Sequence, residues 1–278
     1  MKIKILKNVH GIKGCNDIVF VGGKGNPNLN VIYIGGDIQD LNENMKIYKV
    51  YSLESTASKL FERYKKHNCP VHIYAIRPDI YKNLTFAIYN NFVDMIEEGN
   101  PIYKFDPLKG AANQFQSLIT SCVKMLLEDK SLTVFPKIDI PLHLIGFSKG
   151  CTVLTQLIYD LSQVQDFKIY KLFTNILDMY WLDSGHNGNA ELWPTSENIL
   201  SNFLKNFNCR IHGFGTPFQL CRLNRERSFV EYEKFEKILR VINPKNQCGF
   251  LLKEENNTLE THFKVIDVFP LILDGIEL

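Results

Sequence analysis

The chain has 278 residues, 45% hydrophobic and 22% charged, which suits a globular protein with a substantial core and excludes a disordered or low-complexity polymer. A net charge of +2 gives no mandate for binding nucleic acid or an anionic membrane surface, and no apolar stretch is long enough to span a bilayer. Seven cysteines without a Cys-x-x-Cys spacing argue against a disulfide framework and a zinc site, and for an intracellular, reducing compartment.

The first seven residues are basic but lack the apolar run and cleavage site of a secretory signal. Residues 2–9 and 17–22 read as strands. The tract Gly22-Gly23-Lys24-Gly25-Asn26-Pro27-Asn28 reads as a hairpin loop, because it lacks the Gly-Lys-Ser/Thr ending and the helix of a phosphate-cradling loop. Val31-Ile32-Tyr33-Ile34 is apolar throughout, as a strand buried on both faces should be. It runs into Gly35-Gly36-Asp37-Ile38-Gln39, where a glycine pair lets main-chain N–H groups approach a ligand. Leu53, Ala57, Leu60, Phe61 and Tyr64 then mark one stripe of a helix capped by Ser52. The strand Val71-His72-Ile73-Tyr74-Ala75-Ile76 is stopped by Arg77-Pro78.

Residues 77–110 are aromatic and irregular (Tyr81, Phe86, Tyr89, Phe92, Tyr103 and Phe105). They are expected to pack a long loop against the body, with a pocket wall as the alternative. Phe115, Leu118, Ile119, Cys122, Val123, Leu126 and Leu127 mark the next helix. After it, Leu142-His143-Leu144-Ile145 is a buried strand that enters Gly146-Phe147-Ser148-Lys149-Gly150. Val153, Leu154, Leu157, Ile158 and Leu161 follow at helical spacing. Strand, sharp turn and helix are the setting in which Gly-x-Ser-x-Gly works as a nucleophile elbow. The serine sits at a strained tip, and bulkier residues two places to either side would collide with neighbouring backbone.

Beyond the elbow, Asp178-Met179-Tyr180-Trp181-Leu182 reads as a strand ending in Asp183-Ser184-Gly185-His186. Thr195 is expected to cap a helix over Ile199, Leu200, Phe203, Leu204 and Phe207. Cys209-Arg210-Ile211-His212-Gly213 is the next strand, and Ser228-x-x-Glu231 reads as a capping box over Phe235, Ile238 and Leu239. Arg222, Arg225 and Arg227 form a basic loop read as solvated charge, with contact to an anionic substrate as the alternative. Cys248–Leu252 is the last strand, followed by a polar loop that carries His262. Strands alternating with helices specify a mainly parallel sheet covered on both faces. The expected fold is therefore α/β, an α/β-hydrolase-like three-layer sandwich formed as one domain over residues 1–278.

A serine hydroxyl needs a base to take its proton and an acid to hold that base. His262 is the favoured base, because it completes the chain order Ser, acid, His. His186 is the alternative. His72 and His143 lie inside strands and read as structural. Asp183, at a strand's carboxyl end, is the favoured acid, since the exit Gly213–Phe218 holds no carboxylate. Backbone N–H groups of Gly36, Asp37 and Lys149 are the candidate oxyanion hole. Ser148, Asp183 and His262 would then hydrolyse an ester, thioester or lipid acyl bond in a small-molecule substrate, with no metal or organic cofactor. The second reading is an inactive binding or scaffold protein that kept the fold.

Asp37-Ile38-Gln39, Ala75-Ile76-Arg77-Pro78, the elbow through Cys151, Met179–His186 and Thr216-Pro217-Phe218-Gln219 occur in an order that resembles another group across nearly the whole chain. It is the α/β-hydrolase-like family named for a human chromosome 2 open reading frame and linked to mitochondria. The resemblance implies the hydrolase fold, a serine-hydrolase triad and a mitochondrial role, without naming a substrate. This chain begins almost at its first strand, so its own sequence leads us to expect a cytoplasmic location.

Overall fold

In the computed structural model the described residues are 1–23, 25–40, 48–96, 99–106, 110–129, 136–166 and 169–276. Strands β1 (Lys2–His10), β2 (Cys15–Gly22) and β3 (Leu29–Ile34) precede helix α1 (Leu53–Lys66) and strand β4 (Val71–Ile76). Two small antiparallel hairpins follow: β5 (Ile80–Lys82) with β6 (Phe86–Ile88), and β7 (Asp94–Ile96) with β8 (Asn100–Ile102). Then come helix α2 (Ala111–Glu128), strand β9 (Leu142–Phe147), helix α3 (Cys151–Leu161) and strand β10 (Ile176–Leu182). Helix α4 (Glu197–Asn206), strand β11 (Arg210–Gly215), the short helix α5 (Pro217–Leu220) and helix α6 (Glu226–Ile242) lead to strand β12 (Cys248–Phe250) and helix α7 (Leu259–Val268).

Eight strands form one sheet in the order β1-β2-β4-β3-β9-β10-β11-β12. Only β2 runs against its neighbours, and all pairs from β4 to β12 are parallel. Alternation along each strand divides the core in two. Ile32 and Ile34 face the side covered by α2, α3, α4 and α6, whereas Val31 and Tyr33 face α1 and α7. Every residue of β3, β4 and β9 is buried, because both faces are covered. At about 1.5–3 kcal/mol per large apolar side chain, this double burial fixes the register of the central strands, and a one-residue slip would exchange the two faces. The result is a three-layer α/β sandwich.

Several local expectations need correction. The tract at 22–28 is not a hairpin loop: β4 lies between β2 and β3, so the segment passes over β4 and the two strands it joins run in opposite directions without pairing. Its Lys24 lies outside the described residues. Leu127 is 59% exposed and lies off the apolar stripe of α2. Ser228 and Glu231 do not form a capping box, because α6 already begins at Glu226. Ser228 Oγ instead accepts from the Trp193 indole, and the Glu231 carboxylate accepts from the Leu192 and Trp193 amides. Thr195 does not cap α4, since its amide and hydroxyl both donate to Glu191.

Candidate active site

Strand β9 is central and buried, and its carboxyl end turns abruptly into α3. Ser148 occupies that turn with φ of 52°, a left-handed backbone that a side chain adopts at a cost. The turn is tight enough that a Cβ on Gly150 would sit 2.2 Å from the Ile34 carbonyl oxygen, so only glycine fits. Gly36 plays the same part opposite, where a Cβ would lie 2.6 Å from Ser148 Cβ. The sequence thus presses the ends of β3 and β9 together and holds the Ser148 hydroxyl at the sheet's carboxyl edge.

Asp183 follows β10, the neighbour of β9, and is fully buried with φ of 47°. Its Oδ2 lies 2.6 Å from His262 Nδ1 and accepts from the Thr216 hydroxyl at 2.6 Å, while Oδ1 accepts from the Thr216 amide at 2.7 Å. Thr216 is the N-cap of α5, just after β11. The adjacent strand exit therefore supplies donors that hold the carboxylate. Sequence reading did not assign Thr216 this part; the signal was a Thr-Pro helix start beside a strand end that lacks an acid.

His262 was expected in a loop. It lies instead in the first turn of α7, because the Thr258 hydroxyl caps that helix and accepts from the Thr261 amide, and the His262 amide donates to the Thr258 carbonyl. The ring is packed against Phe147 and Phe218, each 4.5 Å away between centroids. Nδ1 faces Asp183, and Nε2 makes no hydrogen bond among the described residues. Ser148 and His262 line the same pocket, of about 190 Å³, together with Asp37, Ile38, Phe86, Lys149, His186, Phe218, Gln219 and Arg225.

His186 also reaches this pocket, but both its nitrogens are engaged. Nδ1 accepts from the Gly188 amide at 3.1 Å, which leaves Nε2–H to donate to the Glu191 carbonyl at 3.2 Å. Burial pushes its pKa down to about 4, so the ring is neutral and acts as a brace for its loop. His143 and His212 are buried around Asp178, with ring nitrogens 3.0 Å and 2.8 Å from its carboxylate oxygens. Arg210 makes two further bonds to that carboxylate, at 2.6 Å and 2.8 Å. Together these partners hold the Asp178 carboxyl far below its ordinary range against the opposing effect of burial. The group lies inside the sheet, away from Ser148, and is structural. A larger cavity of about 370 Å³ at the amino ends of β3 and β4 is lined by Cys69 and His72. Burial holds that thiol up at about 11 and that imidazole down at about 4, so neither is charged there at neutral pH.

Of the three backbone amides expected as oxyanion donors, that of Gly36 is already engaged. The Gly36 amide donates to Gln39 Oε1 at 2.9 Å, and Tyr33 and Tyr51 pin that glutamine side chain, so Gly36 is spent on the loop's own structure. The Asp37 amide makes no hydrogen bond among the described residues. The Lys149 side chain is buried, with Nζ 3.1 Å from Asp37 Oδ1 and 5.0 Å from the Phe86 ring centre. Burial raises the Asp37 carboxyl above the usual carboxylate range, opposed chiefly by Lys149. Phe86, from the first hairpin, is thus a pocket wall. Tyr89 and Phe92 are core residues, as the loop-packing expectation held. No group of His, Cys, Asp and Glu among the described residues could hold a metal ion.

The C2orf69 family model matches residues 5–138 and 131–245. The chain belongs to the C2orf69 family. The mitochondrial protein C2orf69 of Homo sapiens is 28% identical over 294 residues, covering 87% of this chain and 74% of that protein. The Danio rerio homologue is 27% identical over 257 residues, covering 87% and 73%. Among solved structures, poly(aspartic acid) hydrolase-1 from Sphingomonas sp. KT-1 aligns with a TM-score of 0.51 at 9% identity, over 94% of this chain and 95% of that one. Enterochelin esterase from Shigella flexneri aligns at 0.50 and 10% identity, over 95% and 58%. At such identities these likenesses establish the fold of this C2orf69-family chain, the α/β-hydrolase fold. No helix among its described residues is long and apolar enough to cross a membrane.

Proposed function

We propose that the protein is a serine hydrolase of small acyl esters or thioesters, with Ser148 as nucleophile, His262 as base and Asp183 as the acid that orients it. The observation that carries this reading is the 2.6 Å contact between His262 Nδ1 and the buried Asp183 carboxylate, on a ring that shares a pocket with the strained Ser148. Asp183 fixes the proton on Nδ1 and leaves the Nε2 lone pair for the serine. Ser148 Oγ attacks the acyl carbon as its proton passes to Nε2. The oxyanion is met by the amides of Asp37 and Lys149, the second being the residue after the nucleophile. The imidazolium then protonates the leaving group, and water repeats the sequence on the acyl-enzyme. His186 does not compete for the base role, since its nitrogens are already committed.

A fluorophosphonate should label the wild-type protein and fail to label Ser148→Ala of unchanged far-ultraviolet circular dichroism. Equal labelling of the variant would assign the reactivity elsewhere. No labelling of wild type, at neutral and mildly alkaline pH, would make the protein a binding module on a hydrolase fold. We place the protein in mitochondria, on the names its relatives carry. Fractionation showing it confined to the cytosol would overturn that assignment.

A further inference from the structure

The pocket beside Ser148 is lined by one acidic and two basic side chains, Asp37, Lys149 and Arg225, and they are not equivalent. Lys149 and Asp37 lie 3.1 Å apart and answer one another. Arg225 has no carboxylate within ion-pair distance among the described residues. Its guanidinium lies 4.8 Å from the centre of the Phe218 ring, the ring that also stacks on His262 at 4.5 Å. The two other arginines of this basic segment are used differently. Arg227 binds Glu231 and the carbonyls of Gly188, Asn189 and Ala190, and Arg222 lies over Phe229. Gln219 provides a second and independent sign. It is 4% exposed, it lines the same pocket, and its Oε1 has no hydrogen-bond partner. A buried acceptor oxygen left without a donor costs about 1–3 kcal/mol, and an N–H or O–H of a bound molecule would recover it.

We propose that the pocket takes a compact acyl substrate bearing a carboxylate, read by Arg225, with an N–H or O–H of the same substrate facing Gln219 Oε1. This rests on the hydrolase reading and narrows it. The planar guanidinium presents a fork of N–H donors that matches a carboxylate, and stacking on Phe218 holds that fork in place. One cation without an ion-pair partner suits a monoanionic group; a phosphate dianion would call for a second, and Lys149 is already held by Asp37. The volume of about 190 Å³ is below the usual range for ligand pockets, which suits a short acyl group.

The test compares two chromogenic esters of equal size, mono-p-nitrophenyl glutarate and its glutaramate analogue, in which a carboxamide replaces the free carboxylate. Wild type should prefer the carboxylate ester at least tenfold in kcat/KM, mainly through KM. Arg225→Gln should bring the ratio close to one, and Arg225→Lys should restore part of it. A wild-type ratio near one, or a ratio that survives in Arg225→Gln, would overturn the proposal. Fluorophosphonate labelling separates the two readings: labelled Ser148 with a ratio of one sinks only the carboxylate reading. Should neither ester turn over and no label attach, the hydrolase reading fails instead. Thermal shifts with monomethyl glutarate against methyl glutaramate then decide for Arg225: a rise in Tm with monomethyl glutarate alone, lost in Arg225→Gln, supports it, and equal shifts refute it.

Discussion

Asp183→Asn separates what the carboxylate does for catalysis from what it does for the fold. Three donors meet the wild-type carboxylate: the Thr216 amide at Oδ1, and the Thr216 hydroxyl and His262 Nδ1–H at Oδ2. An asparagine of the same shape keeps its oxygen toward the Thr216 amide. Its NH2 then faces the other two, and both can adapt: the hydroxyl turns to accept, and Nδ1 gives up its proton and accepts as well. The Thr216 hydroxyl, which already accepts from the Phe218 amide, loses the acceptor for its own proton, so the stability cost should be that of weaker bonds and one unpaired donor, about 1–3 kcal/mol. The imidazole proton, however, must now sit on Nε2, where the lone pair for Ser148 should be. The corresponding change in a serine protease costs about 10⁴ in kcat, or roughly 5.5 kcal/mol of barrier. We therefore expect turnover of the glutarate ester to fall by about 10⁴ while the urea midpoint falls only as far as that stability cost requires. A folded Asp183→Asn protein within tenfold of wild type would refute the tautomer argument. Loss of cooperative unfolding would show that the charge at 183 holds the fold rather than the base.

His186→Ala should keep turnover of the same ester within about tenfold of wild type, because the ring braces its loop and carries no proton for the reaction; a loss as deep as that of His262→Ala would reverse the assignment. Acid stability should depend on His72, which is 1% exposed, has no partner for Nδ1, and titrates near 4 in the folded protein. Its folded pKa lies below the unfolded value of 6.5, so its contribution is complete above pH 6.5. That contribution is lost as pH falls toward 4, by up to about 3 kcal/mol. Denaturant midpoints between pH 7 and 4.5 should therefore fall less steeply in His72→Leu than in wild type; parallel curves would remove His72 from the account.

The sheet was legible because burial on both faces leaves long apolar runs, as at Val31–Ile34 and Leu142–Ile145, and because the elbow's glycines are a steric requirement. Ser148, Asp183 and His262 could be picked out as candidates because each stands at or beyond the end of a recognisable strand. Less visible were arrangements made by side chains from distant parts of the chain. Nothing local says that Gln39 will take the Gly36 amide, that Thr216 will hold Asp183, or that Glu231 will serve the Leu192 and Trp193 amides rather than its own helix. The three arginines are alike in sequence and differ only in what the tertiary fold brings near them. The hairpin reading of residues 22–28 failed for a similar reason, since only the insertion of β4 decides which strands are neighbours.

Ile38, Ser148 and Asp183 all hold left-handed backbone, with φ of 66°, 52° and 47°, and all three border or support the pocket. At about 1–2 kcal/mol each, this is a sizeable part of a margin that for ordinary domains is only about 5–15 kcal/mol. Glycine at position 148 would relieve the backbone and abolish the nucleophile in one step; at 183 it would set that relief against the lost hydrogen bonds. A laboratory selection that rewards only folded, abundant protein would therefore tend to drift away from function at these sites. Variants enriched for abundance but depleted for turnover would trace the edge of the pocket, which gives a way to map it without knowing the natural substrate.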